Sequence, residues 1–387
     1  MRIVYFINSI CHLGGRESIT IAKANALAEI DGNEVWIMVS DNQKEPIYAL
    51  SDKVHLVHLG INYYDTDYKG KWYVYYNMFI RPYAHKKAAK KVLEQMQPDV
   101  IVSTSHAEKF FLPSIKLSKR PLFVRELHIN GDYRTELVKT ASWGKIKTLM
   151  ARIKDAYDYK WRINEYDVIV TLTEGDKNAF WRHNNKVVVM PNLLTYSLDH
   201  TSDLSSKIVV MAGRLEKIKN FTSAIRIWKK VNSKYKDWQL HIWGDGSEKE
   251  VLHRLIVELG LQDSVKLQGY TNDLGNKYLS SSIFLQTSLR EGFSLVLLEA
   301  MNAGLPCVAY DCPFGPAEMI EDGLSGFLVE LSDEDTMAER LSRFLDNKEL
   351  RIEMGKKARL VSLRYLARPI ADRWMNLFRE NINKLQV

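Results

Sequence analysis

The sequence predicts an α/β protein of two domains, each built on a parallel sheet with helices on both faces. Strand-like apolar runs alternate with helical patterns through the first half, and the alternation restarts after a polar stretch at 193–206. This alternation is typical of parallel sheets, because a crossover must carry the chain back before the next parallel strand begins. A chain of 387 residues is long enough for two cores of ordinary size.

Thirteen strand-like runs carry this prediction. The first seven are IVYFIN, EVWIMVS, VHLVHLG, DVIVSTS, LFVREL, DVIVTLT and KVVVMPN, and the other six are KIVVMAGRL, WQLHIWGDG, SVKLQGY, IFLQTSL, PCVAYDC and GFLVE. Ligands of such sheets bind at the carboxyl ends of the strands. The residues that follow each run are therefore the first candidates for a functional site.

The composition, 46% hydrophobic and 26% charged, is that of a folded globular chain. The first residues, MRIVYFINSI, are too short a run for a signal peptide, and no run of about 18 apolar residues predicts a membrane span. The three cysteines lack CxxC spacing, which indicates incidental thiols in a reducing compartment. We therefore expect a cytoplasmic protein.

The positive charge lies in the first half. Residues 1–195 contain 28 Lys and Arg against 21 Asp and Glu, whereas 196–387 contains 26 of each. The whole excess of +7 therefore belongs to the first half, which predicts an anionic partner such as a membrane surface or a phosphate-bearing substrate.

Two basic stretches are candidates for that contact. Residues 63–91 combine Lys and Arg with Trp and Tyr, as at a bilayer interface, although an ordinary helix around 84–96 with its lysines in water is the alternative. Nucleic acid is disfavoured because no binding motif accompanies the charge. The stretch 134–162 places five apolar residues at helical spacing, which we expect to pack against the domain: Ile146, Leu149, Met150, Ile153 and Tyr157.

Three features of the first half are candidate site residues. Gly14 and Gly15 form a turn before a helix, which suits either a phosphate or a plain turn, but the motif is not GxGxxG and disfavours a nicotinamide dinucleotide. His128 clusters with Arg125 and Glu126 at a strand end, where polar chemistry or a structural role would both fit. The sequence Asp-Thr-Asp at 65–67 resembles a metal-binding DxD, but no apolar strand leads into it, so we expect no metal.

The second half places cations and glycines at strand ends. Arg214 follows the first strand and Lys219 comes five residues later, so the two cations can converge where a diphosphate would lie, with Lys217 as an alternative lysine. Gly244 allows backbone to approach a ligand.

The stretch LREGFSLVLLEAMNAGLP (289–306) predicts a strand end, a turn with Glu291, and an apolar helix from near Ser294 to Gly304. Ser at the start is expected to cap this helix, and Gly at the end is typical of its termination. Glu299 is the helix's one charge, and a carboxylate on so apolar a helix needs a partner. The stretch predicts one wall of a site for an anion and a polyol.

These motifs resemble retaining glycosyltransferases of family 4, which have the GT-B fold of two facing Rossmann-like domains with a cleft between them. The matching segments are GRLEKIKN, GDG, LQGY, REGFSLVLLEAMNAGLPCVAYD and GPAEMIEDGLSGFLV, and Glu291 and Glu299 have the family's E-x7-E spacing. The resemblance is fainter in the first half, through GGRE, VRELH and VVVMPN. It implies domains at 1–195 and 196–368, with a last helix at 369–387 returning to the first domain.

The resemblance also implies roles for the candidate residues. Glu291, His128, Arg214 and Lys219 would be catalytic: the two cations would stabilise the leaving diphosphate without a metal or other cofactor, and Glu291 and His128 would face the donor sugar. Glu299 would bind the ribose hydroxyls. The donor site would comprise Gly15, Arg214, Lys219, Gly244, Tyr270, Glu291, Gly292, Phe293, Ser294, Leu295 and Glu299.

By the same resemblance, the reaction would move a sugar from a nucleotide sugar, such as a UDP-hexose or UDP-N-acetylhexosamine, to a glycan or polyprenyl-diphosphate-linked acceptor. The anomeric configuration of the transferred sugar would be retained. The enzyme would assemble capsule, lipopolysaccharide or exopolysaccharide units on the inner face of the membrane. The alternatives are a GT-B epimerase or phosphorylase, and a sugar-nucleotide-binding protein without activity.

Overall fold

The computed structural model describes residues 1–12, 14–41, 45–62, 80–105, 107–109, 111–128, 144–157 and 163–386. The chain divides into two compact units. The first unit comprises Met1–Thr195 together with Ala367–Val387, and the second comprises Tyr196–Leu366. Both have α/β architecture, so the predicted fold class is confirmed at the level of each unit.

The first unit contains a parallel sheet of seven strands in the order β3-β2-β1-β4-β5-β6-β7. Every strand corresponds to one of the predicted apolar runs. Their bounds are Arg2–Ile7 (β1), Glu34–Val39 (β2), Val54–His58 (β3), Val100–Ser103 (β4), Leu122–Glu126 (β5), Val168–Thr171 (β6) and Val187–Val189 (β7).

Helices cover both faces of this sheet. Along β1, Tyr5 packs into one apolar cluster and Phe6 into another, because successive strand residues point to opposite faces. The described helices of the unit are Gly15–Ala28 (α1), Arg81–Met96 (α2), Gly144–Tyr157 (α3), Glu174–Phe180 (α4) and the C-terminal Ala367–Gln386 (α12). Helices α1 and α12 share one face, where Ile370, Trp374, Leu377 and Phe378 are all buried.

The second unit contains a parallel sheet of six strands in the order β10-β9-β8-β11-β12-β13. The strands are Ile208–Ala212 (β8), Gln239–Trp243 (β9), Val265–Gly269 (β10), Ile283–Gln286 (β11), Cys307–Tyr310 (β12) and Gly326–Val329 (β13). The helices are Phe221–Asn232 (α5), Lys249–Glu258 (α6), Leu274–Leu279 (α7), Leu295–Asn302 (α8), Pro316–Met319 (α9), Glu334–Asp346 (α10) and Lys348–Ser362 (α11).

The two basic helices differ in how they pack. Helix α2 buries His85, Ala89 and Leu93, and Val92 and Met96 pack against the apolar cluster that contains Ala89 and Leu93. The apolar residues of α3 were expected to pack against the domain, and this prediction is wrong. Their exposed fractions run from 48% to 78%, for Ile146, Leu149, Met150, Ile153 and Tyr157.

Helical periodicity shows only that apolar residues share one side of a helix, and does not reveal what covers that side. None of the described helices has both the length and the hydropathy to cross a bilayer.

Candidate functional site

The second unit brings a lysine and a glutamate together at the carboxyl edge of its sheet. After β8 the chain forms a short 3₁₀ turn at Lys217–Lys219 and enters α5. The Leu289 amide donates to the Ile218 carbonyl at 2.8 Å, which holds this turn beside the chain that follows β11. Lys219 Nζ then lies 2.8 Å from both carboxylate oxygens of Glu291. Two of the four predicted catalytic residues therefore form a direct ion pair.

A buried glutamine supports the carboxylate of Glu291. Gln286, the last residue of β11, donates through Nε2 to Glu291 Oε1 at 3.3 Å and accepts from Ser294 Oγ at 2.7 Å. The sequence prediction missed Gln286, although a polar residue closing the apolar run IFLQ was the available signal. Ser294 is the N-cap residue of α8, as predicted, but its hydroxyl donates to this glutamine and makes no cap hydrogen bond.

The backbone after β12 also approaches Glu291 closely. Gly315 has φ of +131°, and a Cβ placed on it would lie 3.2 Å from Glu291 Cβ and 3.4 Å from the Ser294 amide nitrogen. Only glycine adopts this conformation without strain. Gly315 and Gln286 thus shape the surroundings of Glu291 at the start of α8, where first-turn amides favour an anion.

Gly244 shapes the loop that carries Arg214. Its φ is +143°, and a Cβ there would lie 1.9 Å from the Gly213 carbonyl oxygen. The Gly213 amide donates to the Trp243 carbonyl at 3.0 Å, and the Leu215 amide donates to the Asp245 carbonyl at 2.9 Å. Close packing between two loops of the protein therefore explains the glycine at 244.

Arg214 itself is turned towards solvent. Its side chain is 76% exposed and its Nη1 lies 2.7 Å from Glu216 Oε1. Lys217 is also exposed, so of the two candidate lysines Lys219 is the one that meets Glu291. The described structure does not bring Arg214 into the Lys219–Glu291 pair.

The other predicted donor-site residues lie on or near the same edge. Gly292, Phe293 and Leu295 follow Glu291 into α8, and the Phe293 ring contacts Tyr365 at 5.7 Å between centroids. Tyr270 follows β10 and is 58% exposed.

Glu299 lies in the second turn of α8 and is half-buried. Burial is the main cause that raises the pKa of Tyr196 and of Tyr278, and the charge of Glu299 raises both further. Tyr278 belongs to α7, and Tyr196 is the first residue of the second unit. The carboxylate of Glu299 therefore lies close enough to both phenols to affect them electrostatically.

The first unit carries Gly15 and His128 at the carboxyl edge of its own sheet. Gly15 is the first residue of α1. His128 lies two residues beyond β5, with Nε2 3.6 Å from Glu126 Oε1. Burial lowers the pKa of His128 to about 3, although the charge of Glu126 acts in the opposite direction, so the imidazole is neutral at pH 7.

Glu126 pairs with Lys23 of α1 in the interior. The sequence prediction placed Glu126 beside His128 but missed Lys23. Burial raises the pKa of Glu126, but the opposing effects of Lys23 and His128 outweigh it and leave that pKa lowered. A lysine on the buried face of an amphipathic helix was the available signal for this pair, because Lys is almost never buried unless it is paired.

Some predictions concern residues outside the described part of the chain. The Asp-Thr-Asp sequence at 65–67 and most of the basic stretch 63–91 lie in the undescribed range 63–79. Among the residues that are described, no three His, Cys, Asp or Glu side chains are grouped so as to hold a metal ion.

The chain shows similarity to known glycosyltransferases over its whole length. Residues 196–361 match the family described as "Glycosyl transferases group 1". An uncharacterized glycosyltransferase of Haemophilus influenzae is 29% identical over 97% of this chain and 99% of its own length. The poly(ribitol-phosphate) alpha-N-acetylglucosaminyltransferase of Staphylococcus aureus is 32% identical over 56% of this chain and 44% of its length.

A solved structure shares the fold. A mutant of S. aureus TarM, crystallised with fondaparinux, alpha-GlcNAc-glycerol and UDP, superposes with a TM-score of 0.74 at 16% identity, covering 97% of this chain and 99% of that one. The fold is therefore GT-B, and residues 196–361 of the second unit match the group 1 glycosyltransferase family. The matched domain and the shared fold together support a GT-B glycosyltransferase.

Proposed function

We propose that this protein transfers a hexose or N-acetylhexosamine from a UDP-sugar to a glycan or polyprenyl-diphosphate-linked acceptor, with retention of configuration, in cell-surface polysaccharide synthesis. The observation that carries this proposal is the Lys219–Glu291 pair beside the start of α8, inside a group 1 glycosyltransferase domain. The S. aureus relative is named for an alpha-linked N-acetylglucosamine transfer, and TarM crystallised with UDP, which supports a donor of this class.

The chemistry of the leaving group explains why these residues are needed. When the sugar departs, negative charge develops on the nucleoside diphosphate and must be stabilised. Lys219 supplies a cation and the first turn of α8 supplies backbone amides, so we propose that these two replace a metal ion. Arg214 joins them when the donor binds, because its exposed guanidinium is free to turn from Glu216 towards a phosphate.

Glu291 and Glu299 then have separate parts. Glu299 accepts hydrogen bonds from the ribose hydroxyls, and Glu291, held by Gln286, accepts from hydroxyls of the donor sugar. With donor bound, Lys219 exchanges part of its contact with Glu291 for the diphosphate, which is possible because its side chain is 20% exposed. We propose that His128 contacts the sugar near its reacting carbon and that Tyr270 lies beside the nucleotide.

We propose that retention follows from front-face departure and attack. The leaving phosphate accepts the proton of the acceptor hydroxyl while the glycosidic bond to the diphosphate breaks and the new bond forms on the same face. Glu291 is engaged by Lys219 and Gln286, which suits a hydrogen-bonding role better than that of a covalent nucleophile.

A donor screen tests the proposal. The protein is incubated with each UDP- or GDP-sugar and with candidate glycan or lipid-diphosphate acceptors, and nucleotide release and product are measured. Lys219→Met is expected to lower kcat by on the order of 10²–10³, as when one transition-state donor is lost. Lys217→Met, two residues earlier in the same turn and exposed, is the matched control and should remain within about threefold of wild type, far below that loss.

Other outcomes would favour the alternatives. Conversion of the nucleotide sugar itself without an acceptor would indicate an epimerase, and release of a sugar phosphate that requires inorganic phosphate would indicate a phosphorylase. Loss of activity in EDTA would contradict metal-free stabilisation of the leaving group.

We further propose that the protein docks on the inner face of an anionic membrane through the first unit. Helix α3 presents a row of exposed apolar side chains, with Lys145 and Arg152 on the same helix also exposed. Helix α2 adds exposed basic residues beside Tyr83, which is 72% exposed. Apolar residues next to cations are typical of helices that lie in the lipid interface, and an acceptor anchored in lipid would be reached from such a position.

Vesicle sedimentation tests this docking. Replacement of Leu149, Met150 and Ile153 by Ser is expected to abolish binding to vesicles with phosphatidylglycerol, and replacement of Lys87, Lys90 and Lys91 by Glu is expected to weaken it strongly. The control is Val257→Ser, a half-exposed apolar residue on α6 of the second unit. Unchanged vesicle binding in the triple Ser variant would contradict a role for α3.

A further inference from the structure

We propose that Lys23 and Glu126 are positioning residues for His128: Glu126 accepts a hydrogen bond from His128 Nε2 and so fixes the imidazole tautomer, while Lys23 keeps the imidazole neutral. The pair does not touch solvent, since each side chain is only 1% exposed. The inference rests on the proposed function, because it gives His128 a defined part in sugar transfer.

The pair is built from separate elements that are locked together. Lys23 lies in the middle of α1, Glu126 is the last residue of β5, and Lys23 Nζ donates to Glu126 Oε1. The C-terminal helix α12 closes the cluster, because Trp374 places its ring centroid 5.2 Å from Lys23 Nζ. Packing on three sides therefore fixes the carboxylate of Glu126, and with it the backbone leading to His128.

Several buried polar atoms of this cluster have no hydrogen-bond partner within the part of the chain that the structure describes. Glu126 Oε2 and His128 Nε2 are two of them, Tyr5 Oη and Trp374 Nε1 are others, and the His128 side chain is only 9% exposed. The distance from Nε2 to Glu126 Oε1 is 3.6 Å, just beyond a hydrogen bond. Catalytic hydrogen bonds are often long without substrate and tighten in the complex. A small shift of either side chain would turn this contact into a hydrogen bond from His128 Nε2 to the Glu126 carboxylate.

The hydrogen bond to Glu126 would determine whether His128 donates to a ligand or accepts from it. In a neutral imidazole one nitrogen donates and the other accepts. If Nε2–H donates to Glu126, Nδ1 carries the lone pair and can only accept. The group that His128 meets is then a donor, such as a hydroxyl of the sugar, and not the diphosphate.

Burial and Lys23 together keep Glu126 from drawing a proton onto the imidazole. The charged groups that act on His128 are Glu126, which favours the cation, and Lys23, Arg16 and Arg125, which oppose it, and burial disfavours the cation most strongly. Loss of Lys23 would leave Glu126 without its cation, and the imidazolium would become its nearest replacement.

The tautomer of His128 in the wild-type protein is the first test. Two-bond ¹H–¹⁵N correlation spectra of the imidazole, assigned with His128→Gln, are expected to show the proton on Nε2 at pH 7. A proton on Nδ1 would overturn the proposal. This measurement needs no substrate, so a failed donor screen would reject the proposed function without affecting this result.

A variant that folds without the ion pair is the second test. In Lys23→Met/Glu126→Leu both charges are replaced by apolar groups of similar size, which avoids leaving one charge buried alone. We expect kcat to fall about 10–100-fold, the range seen when partners that orient metal-bound histidines are removed, with donor KM within about threefold. A mixed His128 tautomer should accompany the loss. Wild-type kcat in this variant, or an unchanged tautomer, would contradict positioning.

Two further variants complete the design. Lys119→Met removes a lysine–carboxylate pair with Asp99 at the opposite, amino end of the same sheet, and should leave kcat and the His128 tautomer unchanged. Lys23→Met alone should raise the pKa of His128 enough for the imidazole to titrate above the wild-type value of about 3. A titration that stays at the wild-type value would show that Lys23 does not keep His128 neutral.

Discussion

The two units each place a lysine–glutamate pair at the carboxyl edge of a parallel sheet, but they do so at different depths. In the first unit Lys23 and Glu126 are 1% exposed, whereas in the second Lys219 and Glu291 are 20% and 8% exposed. The first pair is enclosed by α1, β5 and α12, and the second lies where a loop, a strand end and a helix start meet.

This difference in exposure separates two kinds of function for the same residue types. A fully buried pair cannot exchange partners, because either charge alone in the interior would be very costly. A partly exposed pair can exchange partners, because water and a ligand phosphate are available to the lysine. We therefore assign positioning to Lys23–Glu126 and ligand exchange to Lys219–Glu291, and four predictions test that contrast.

The largest expected effect is on stability. Lys23→Met should destabilise the first unit by about 3–5 kcal/mol, because Glu126 remains buried without its cation. Lys219→Met should cost less, because Lys219 is partly exposed and Gln286 still donates to Glu291. Hydrogen exchange of amides in β5 and in β11 would measure the two losses separately. Equal losses would remove the distinction between the pairs.

The second effect is the response of the first unit to acid. Burial lowers the pKa of His85 to about 4, so between pH 6.5 and 4 the unfolded state binds the proton that the folded state rejects. Stability should therefore fall as pH falls through this window, by on the order of 3 kcal/mol at 1.36 kcal/mol per pKa unit.

Thermal melts from pH 7.5 to 4.5 would show that fall, and His85→Phe should reduce it while keeping a ring against Phe111, whose centroid lies 4.8 Å from that of His85. Persistence of the full slope in this variant would exclude His85 as the cause.

The third effect is on nucleotide affinity. Lys219→Met should weaken UDP binding about tenfold, equivalent to about 1.4 kcal/mol, because it removes a cation from the diphosphate. Calorimetry at low and high salt should show that the difference in UDP affinity between wild type and variant becomes smaller as salt screens the charges. The double variant Lys23→Met/Glu126→Leu should bind UDP as wild type does. Weakened UDP binding in that double variant would contradict the assignment.

The smallest effect is expected at Gln286. Gln286→Leu removes a donor to Glu291 and an acceptor for Ser294. This change should lower the free energy of unfolding by about 1 kcal/mol and lower activity a few-fold. Steady-state kinetics and melting temperature would measure both changes. Gln262→Leu, at an exposed position after α6, is the control. A loss as large as that of Lys219→Met would mean that Gln286 contacts the substrate.

Much of the fold could be predicted because parallel strands are buried on both faces and so read as continuous apolar runs. All thirteen runs are strands, and Gly304, with φ of +77°, follows the end of α8 as predicted. At the candidate site, Glu291 and Lys219 could be found because each follows a strand end. Gln286 was missed although it closes the apolar run IFLQ, because its hydrogen bonds with Glu291 and Ser294 form only in the folded chain.

The sequence by itself determined the strands, the helix ends and the residue types at the carboxyl edges, since these follow from local periodicity and turn chemistry. Tertiary structure decided which partners those residues meet. It paired Lys23 with Glu126 across 103 positions and Lys219 with Glu291 across 72, turned the Ser294 hydroxyl towards Gln286, and left the apolar side chains of α3 48–78% exposed. Burial and long-range pairing arise only when elements pack, so no local pattern encodes them.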